Sequence, residues 1–254
     1  MGVPAPVVLT RPAGRNSGLA RDLRAAGLTV IEAPALAITP LETPLPRLQA
    51  GDLCVFVSRQ AVDSYFQRTA GQDWPAGVRA AAVGTATARA LRTHVPAAMV
   101  LAPDAGMPPD SESLLAVILA AGLAPGRAHL LRAQHGRDWL AQQLQTQGWT
   151  VACHALYRRS PIRWDQAVCS QVAGDAGCTL LLTSPEAVDA VADSLRQSGL
   201  DWPPVLRLVT LHERIARRLQ YLYAERPAGG LSVRLSAPDD AALFRAILAS
   251  ARSA

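Results

Sequence analysis

Two passages of this chain are each written twice, and the spacing of the copies limits what it can fold into. Residues 54–66, CVFVSRQAVDSYF, return as 180–192, LLLTSPEAVDAVA: an apolar run, a Ser, then an AVD that opens a helical pattern. Residues 7–33 return as 129–155. Leu19-Ala20, Leu23, Gly27 and Thr29-Val30 are matched by Leu140-Ala141, Leu144, Gly148 and Thr150-Val151, all 121 residues on. A period of that length is too long for a solenoid. It describes a duplicated α/β domain, and 254 residues suffice for two domains of ordinary size with a cleft between them.

Short apolar runs alternate with helical patterns almost throughout, which predicts parallel sheets covered by helices. The strands fall at 6–10, 29–34, 53–57, 79–83, 97–101, 128–132, 150–156, 179–183, 205–210 and 231–235, five per domain. Leu19, Leu23 and Ala26 line one face of the first helix and Gly27 ends it. Ser111-Glu-Ser and Asp239-Asp240 read as helix N-caps. Two segments break the rhythm, proline-rich 36–48 and basic 156–164. Each follows a copy of the same strand-helix-strand unit, so they read as paired connectors, stiff enough to act as a hinge. The expected division is a discontinuous first domain, 1–36 plus 164–254, and an inserted domain, 42–155, with 37–41 and 156–163 as the paired linkers.

Composition removes several chemistries. All 25 basic residues are Arg, so neither a Schiff-base lysine nor a P-loop lysine exists. A net charge of +5 and a pI near 9.5 suit an anionic partner. Without Arg clusters interleaved with aromatics, or a helix-turn-helix pattern, nucleic acid is not expected. Arg matches carboxylates in a two-pronged fashion, which favours a small polycarboxylate. No apolar run reaches the ~18 residues of a membrane span, and the first residues lack a basic region followed by a signal core. The expectation is a cytoplasmic protein without membrane contact. In the absence of a long exposed apolar stripe it is expected to be a monomer. Cys54, Cys153, Cys169 and Cys178 include no CxxC and read as small buried hydrophobes. His94, His129, His135, His154 and His212 show no metal spacing, Gly84-Thr85-Ala86-Thr87 is no GxGxxG, and Gly-x-Ser-x-Gly is absent. No metal and no cofactor are expected.

In open parallel sheets, ligands sit beyond the carboxyl ends of the strands. Here those ends carry Thr10-Arg11, Ser58-Arg59, Gly84-Thr85-Ala86-Thr87, Arg132, Thr183-Ser184 and Thr210. Hydroxyl and guanidinium groups can bind carboxylates, although each Ser or Thr alone also reads as an N-cap. Tyr157, in Ala-Leu-Tyr-Arg-Arg, stands beside Arg158 and Arg159 and is a candidate proton donor; a packed aromatic at a strand end is the other reading.

These pieces in order, VVLTRPAGR, VFVSRQAVDSYF, AAVGTATARAL, GRDWLAQQLQTQGW, ALYRRSP and LLLTSPEAVDAV, resemble uroporphyrinogen-III synthases over essentially the whole chain. The resemblance implies two flavodoxin-like domains joined by a two-stranded ladder. It implies a cofactor-free lyase that closes linear hydroxymethylbilane, a polycarboxylate, with loss of water and inversion of the last pyrrole ring. Tyr157 matches the family's candidate for protonating the departing hydroxyl. Ser58, Thr87, Thr183-Ser184, Arg11 and Arg137 are the substrate-binding residues it implies, and the strand-end reading adds Thr85 and Arg132. Val57 stands where many members have Thr, Ala133 replaces a frequent Gly, and VTLHERIARRL departs from a Gly-Pro-Thr-like turn. These departures leave a second expectation open, a two-lobe module that binds a tetrapyrrole or another small anion without turning it over.

Overall fold

In a computed structural model, residues 5–104, 106–224 and 230–252 are described. Residues 1–4, part of the stretch 1–15 on which the reading of a leader rests, lie outside them. The strands are β1 (Val7–Leu9), β2 (Val30–Glu32), β3 (Leu36–Pro40), β4 (Leu53–Phe56), β5 (Arg79–Ala82), β6 (Val100–Leu101), β7 (Arg127–Ala133), β8 (Thr150–Pro161), β9 (Cys178–Leu182), β10 (Val205–Thr210) and β11 (Gly230–Leu235). The helices are α1 (Ser17–Ala25), α2 (Arg59–Arg68), α3 (Thr85–Leu91), α4 (Ser111–Ala120), α5 (Trp139–Thr146), α6 (Gln166–Val172), α7 (Pro185–Gln197), α8 (Glu213–Tyr223) and α9 (Asp240–Arg252).

The chain divides into two compact units, Met1–Ala37 with Ser160–Ala254, and Ile38–Arg159. The first holds a parallel sheet in the order β2-β1-β9-β10-β11. The second holds β8-β7-β4-β5-β6, also parallel. β3 adds to the outer edge of β8. Leu41 N–H donates to Leu156 O and Ile162 N–H to Ala35 O, so β3 and β8 run antiparallel. Both strands cross the boundary between the units. The stretch from 36, read from its prolines as a connector, is thus hydrogen-bonded strand as far as Pro40.

The sequence copies occupy equivalent places, register for register. In the first sheet Thr179 pairs with Val7, Val7 with Val30, and Arg207 with Thr179. In the second, Leu53 pairs with Ala128, Ala128 with Val151, and Arg79 with Leu53. Val7 therefore corresponds to Ala128 and Val30 to Val151, the same 121-residue shift that the sequence repeat shows. Each unit joins a β1-α1-β2-type piece to a β9-β10-β11-type piece. In the first unit the rest of the chain separates them; in the second they follow in the opposite order.

The central strands are apolar on both faces because helices cover both. Every residue of β4 and β9 is buried. Val8, Leu180 and Leu208 pack toward α7 and α8, while Leu9, Leu181 and Val209 pack toward α1 and α9. In the second unit Phe56 anchors an aromatic group with Tyr65, Phe66 and Trp74, at ring centroids 5.6, 6.0 and 6.3 Å away. Three buried alanines in β5, Ala80, Ala81 and Ala82, leave room for helices on either side. The cap of α4 is Asp110, which accepts from Ser113 N–H, rather than Ser111. Residues 97–99 form a short 3-10 turn after Pro96, so β6 begins only at Val100.

A polar row crosses the second sheet near the amino ends of its strands. Arg127 holds Asp52 with two bonds, at 3.0 and 2.9 Å. His129 Nε2 lies 3.4 Å from Asp52 Oδ2, and His129 Nδ1 lies 3.1 Å from His154 Nε2. Burial alone would raise the Asp52 pKa, but the Gln49 N–H, the Arg127 guanidinium and His129 outweigh it and hold it below 3.8. Burial and the neighbouring His129 hold His154 below its ordinary 6.5, against a bond to Pro44 that favours its charged form. Both groups bind protons more readily when unfolded, so both make the folded state lose stability as pH falls. The His154 part is complete above pH 6.5 and is lost below it. The Asp52 part is lost only at pH below 3.8. The thermal midpoint should decline from pH 7 to 5, and less steeply in His154→Gln; equal slopes would exclude His154 as the cause.

Candidate active-site residues

Each sheet has one place where the chain order reverses direction, and ligands in such folds sit there, beyond the strand ends. In the second unit it lies between β4 and β7. Just past β4, Ser58 adopts extended φ/ψ of −162° and 159° and caps α2, its Oγ accepting from Ala61 N–H at 3.1 Å. The same Oγ lies 2.9 Å from Tyr157 Oη. Tyr157 reaches it because the register of β7 and β8 shifts by one residue. Arg132 pairs with Ala155, but Ala133 pairs with Tyr157. A bulge of this kind re-aims a side chain. The tyrosine is 3% exposed and Ser58 is half-buried, so the two hydroxyls meet at a partly shielded position. Its hydrogen-bond partner is Ser58; Arg158, next in the strand, points to the opposite face and is exposed.

Past β7 the chain forms a pocket of about 340 Å³ lined by Arg132, Gln134, His135, Gly136, Asp138 and Cys153 among others. The Arg132 side chain is 10% exposed, and its Nη1 donates to Asp138 Oδ1 at 2.6 Å. Arg137 grips Glu112 of α4 with both terminal nitrogens, at 3.1 and 3.2 Å, on the surface. Thr85 is exposed at the start of α3, whereas Thr87 is buried in it.

The first unit has its reversal between β1 and β9. Thr183 follows β9 half-buried, and Ser184 caps α7 by accepting from Ala187 N–H at 3.2 Å. Arg11 follows β1; its Nε donates to Asn16 Oδ1 at 2.9 Å and its Nη1 to Asp240 Oδ1 at 2.8 Å. The hydroxyls of Thr10 and Thr210, read as members of the rim, are buried and donate to Leu181 O and Leu182 O. They hold strands together and are removed from the candidate set.

A family model described as uroporphyrinogen-III synthase HemD matches residues 17–226. The chain belongs to the uroporphyrinogen-III synthase family. A uroporphyrinogen-III synthase of Salmonella typhimurium is 28% identical over 256 residues, covering 95% of this chain and 99% of that one. One from Synechococcus elongatus is 34% identical over 157 residues, 57% of each. Among solved structures, the Helicobacter pylori uroporphyrinogen-III synthetase superposes with a TM-score of 0.59 at 13% identity, covering 96% of this chain and 99% of that one. A mutant uroporphyrinogen III synthase from Thermus thermophilus gives 0.55 at 19%, with the same coverage. These two likenesses are in fold. The resemblance read from the motifs and the parallel α/β architecture are thereby both established.

The uroporphyrinogen-III synthase motifs converge unevenly. VFVSRQAVDSYF and ALYRRSP lie far apart in the chain, yet their Ser58 and Tyr157 are joined by one hydrogen bond. Arg132 and Arg137 bracket the loop of the pocket, but only Arg132 lines it. Three acidic partners, Asp138, Glu112 and Asp240, escaped the motif reading. Asp240 was visible only as a helix cap, and Asp138 only as the third residue of GRD.

Among the described residues, no group of three or more His, Cys, Asp or Glu could hold a metal ion, and no helix is long and apolar enough to cross a membrane.

Proposed function

We propose that this protein cyclises hydroxymethylbilane to uroporphyrinogen III, with loss of water and inversion of the terminal pyrrole ring, for tetrapyrrole synthesis. It acts as a hydro-lyase, as a monomer, in the cytoplasm and without a cofactor. Family membership over most of the chain supports the reaction. The single observation that supports its chemistry here is the hydrogen bond between buried Tyr157 and half-buried Ser58 at the reversal point of the second sheet.

In this reading the Tyr157 hydroxyl donates a proton to the departing hydroxyl of the substrate, the C–O bond breaks, and water leaves. Ser58, fixed by the first turn of α2, orients the phenol through their hydrogen bond. The azafulvene-like cation that remains is attacked by the substituted carbon of the terminal ring to give a spiro intermediate. The older bond from that carbon to its methylene bridge then breaks, the free carbon of the turned ring closes on that bridge, and the proton it loses returns to the Tyr157 phenolate. Carboxylates held by Arg11, Arg132, Arg137, Thr85, Thr87, Thr183 and Ser184 fix the fold of the bilane, so the choice of isomer is catalysis by orientation. The sheet order supports the flavodoxin-like description, since renumbering the strands of the first unit along the chain gives 2-1-3-4-5.

The test is to add the protein to fresh hydroxymethylbilane, oxidise the products and separate the isomers. Dominant type III product is expected. Type I alone, at the spontaneous rate, would overturn the reading and favour the module that only binds.

A further inference from the structure

The register match of the two sheets makes Arg11 and Arg132 equivalent residues, each two positions beyond the matched pair Leu9 and Leu130. Both guanidiniums are mostly buried, with side chains 14% and 10% exposed. Each is met by one oxygen of one aspartate, Asp240 at 2.8 Å and Asp138 at 2.6 Å. The two aspartates are not equivalent. Asp240 comes from the first turn of α9, and Asp138 from the loop that leads into α5. Duplication explains the arginines and one contact of each, with the residue that precedes the next helix, Asn16 for Arg11 and Asp138 for Arg132. It does not explain why the carboxylate comes from that residue in one unit and from α9 in the other. Two unrelated carboxylates have been brought to the same position at the carboxyl end of each sheet.

A buried arginine needs a counter-ion, and a permanent one looks different in this protein. Asp52, which neutralises Arg127, is 4% exposed, uses both oxygens and also accepts a backbone N–H. Asp240 and Asp138 are 54% and 67% exposed. In these pairs the cation is fixed and the anion sits at the surface, where an ion pair contributes little and is easily exchanged. Each seat also has unused capacity for an anion. Arg11 Nη2 is buried and makes no hydrogen bond. Arg132 lines the pocket, where Gly136 leaves its Nη2 uncrowded; a Cβ there would lie only 3.1 Å away.

We propose that Asp240 and Asp138 are resident competitors for the substrate's carboxylates: each occupies its arginine in the empty enzyme and is displaced when a propionate or acetate arm binds. This rests on the proposed reaction. It makes the two aspartates positioning residues that keep the buried cations neutral and oriented between turnovers, at the expense of affinity.

The experiment measures KM and kcat for hydroxymethylbilane in wild type, Asp138→Asn, Asp240→Asn and the conservative Asp138→Glu. Binding of a monopyrrole bearing one acetate and one propionate arm is measured alongside by calorimetry. With the competitor neutralised, KM and the monopyrrole Kd should each fall about two- to fivefold per site, the scale of one exposed ion pair, with kcat changed less. Asp138→Glu should restore the wild-type values. Unchanged or raised KM and Kd in both Asn variants, in an enzyme that makes type III product, would overturn the proposal while leaving the reaction standing. If wild type makes only type I product the reaction fails, and the calorimetric shift alone decides whether the seats exchange anions.

Discussion

Tyr157→Phe should lower kcat for type III product by about a hundredfold and leave the fold and KM nearly unchanged. The phenol ring is packed in the core of the second unit and Phe fills the same space, so only the hydroxyl is lost. Ser58 Oγ keeps its other bond, from Ala61 N–H, so α2 retains its cap. What disappears is the hydrogen bond between Tyr157 and Ser58 at the reversal point of that sheet. A positioned general acid contributes about 10²–10⁴-fold, and the lower end is expected where holding the substrate in its cyclising shape carries much of the rate. Ser58→Ala separates the two roles. It removes the phenol's partner and the cap together, so it should cost about 1 kcal/mol of stability with a smaller fall in kcat. Single-turnover rates with matching circular dichroism decide the matter; wild-type kcat in Tyr157→Phe removes this tyrosine from proton transfer.

The strands were legible because parallel sheets covered on both faces demand continuous apolar runs, and VVL, LCVF and CTLLL are such runs. The duplication was legible because Leu23 and Leu144, with the turns after them, carry the same packing and the same bonds. Leu28 N–H returns to Leu23 O as Trp149 N–H returns to Leu144 O. β3 was legible as one of two paired connectors, and as a ladder strand only through the family resemblance, because no periodicity marks it; it becomes strand through pairing with β8, a contact across more than a hundred residues.

In the site, residue types were readable and partners were not. That Tyr157 would meet Ser58 depends on a one-residue register shift that no periodicity announces. Thr10 and Ser184 look alike as strand-end hydroxyls. One donates inward to Leu181 O and the other caps a helix, because one side chain faces the neighbouring strand and the other the first turn of α7. Asp138 and Asp240 are ordinary acidic residues in the sequence, and only the positions of Arg132 and Arg11 give them meaning.

Gly177→Ala should be the most damaging glycine substitution in the first unit, lowering its stability by about 2–5 kcal/mol. Gly177 turns the chain from α6 into β9 with φ of +73°, a conformation costing an L-residue about 1–2 kcal/mol. A Cβ there would also lie 2.2 Å from Val205 O and 2.9 Å from Val205 Cβ. That carbonyl belongs to the first residue of β10, whose register against β9 starts at the pair Leu206 and Cys178. It cannot rotate away as a flexible side chain could, so β10 must move off β9 beside the fully buried pair Leu206 and Cys178, an overpacking cost of about 1–3 kcal/mol. Gly199 supplies the control. Its φ is +67°, but a Cβ there meets nothing within 4 Å, so Gly199→Ala should carry the backbone cost alone. At about 2–4 °C per kcal/mol for a chain of this size, Gly177→Ala should unfold well below Gly199→Ala in a thermal scan. Equal midpoints would mean that the β9–β10 contact yields without cost, and that backbone conformation alone makes glycine necessary at 177.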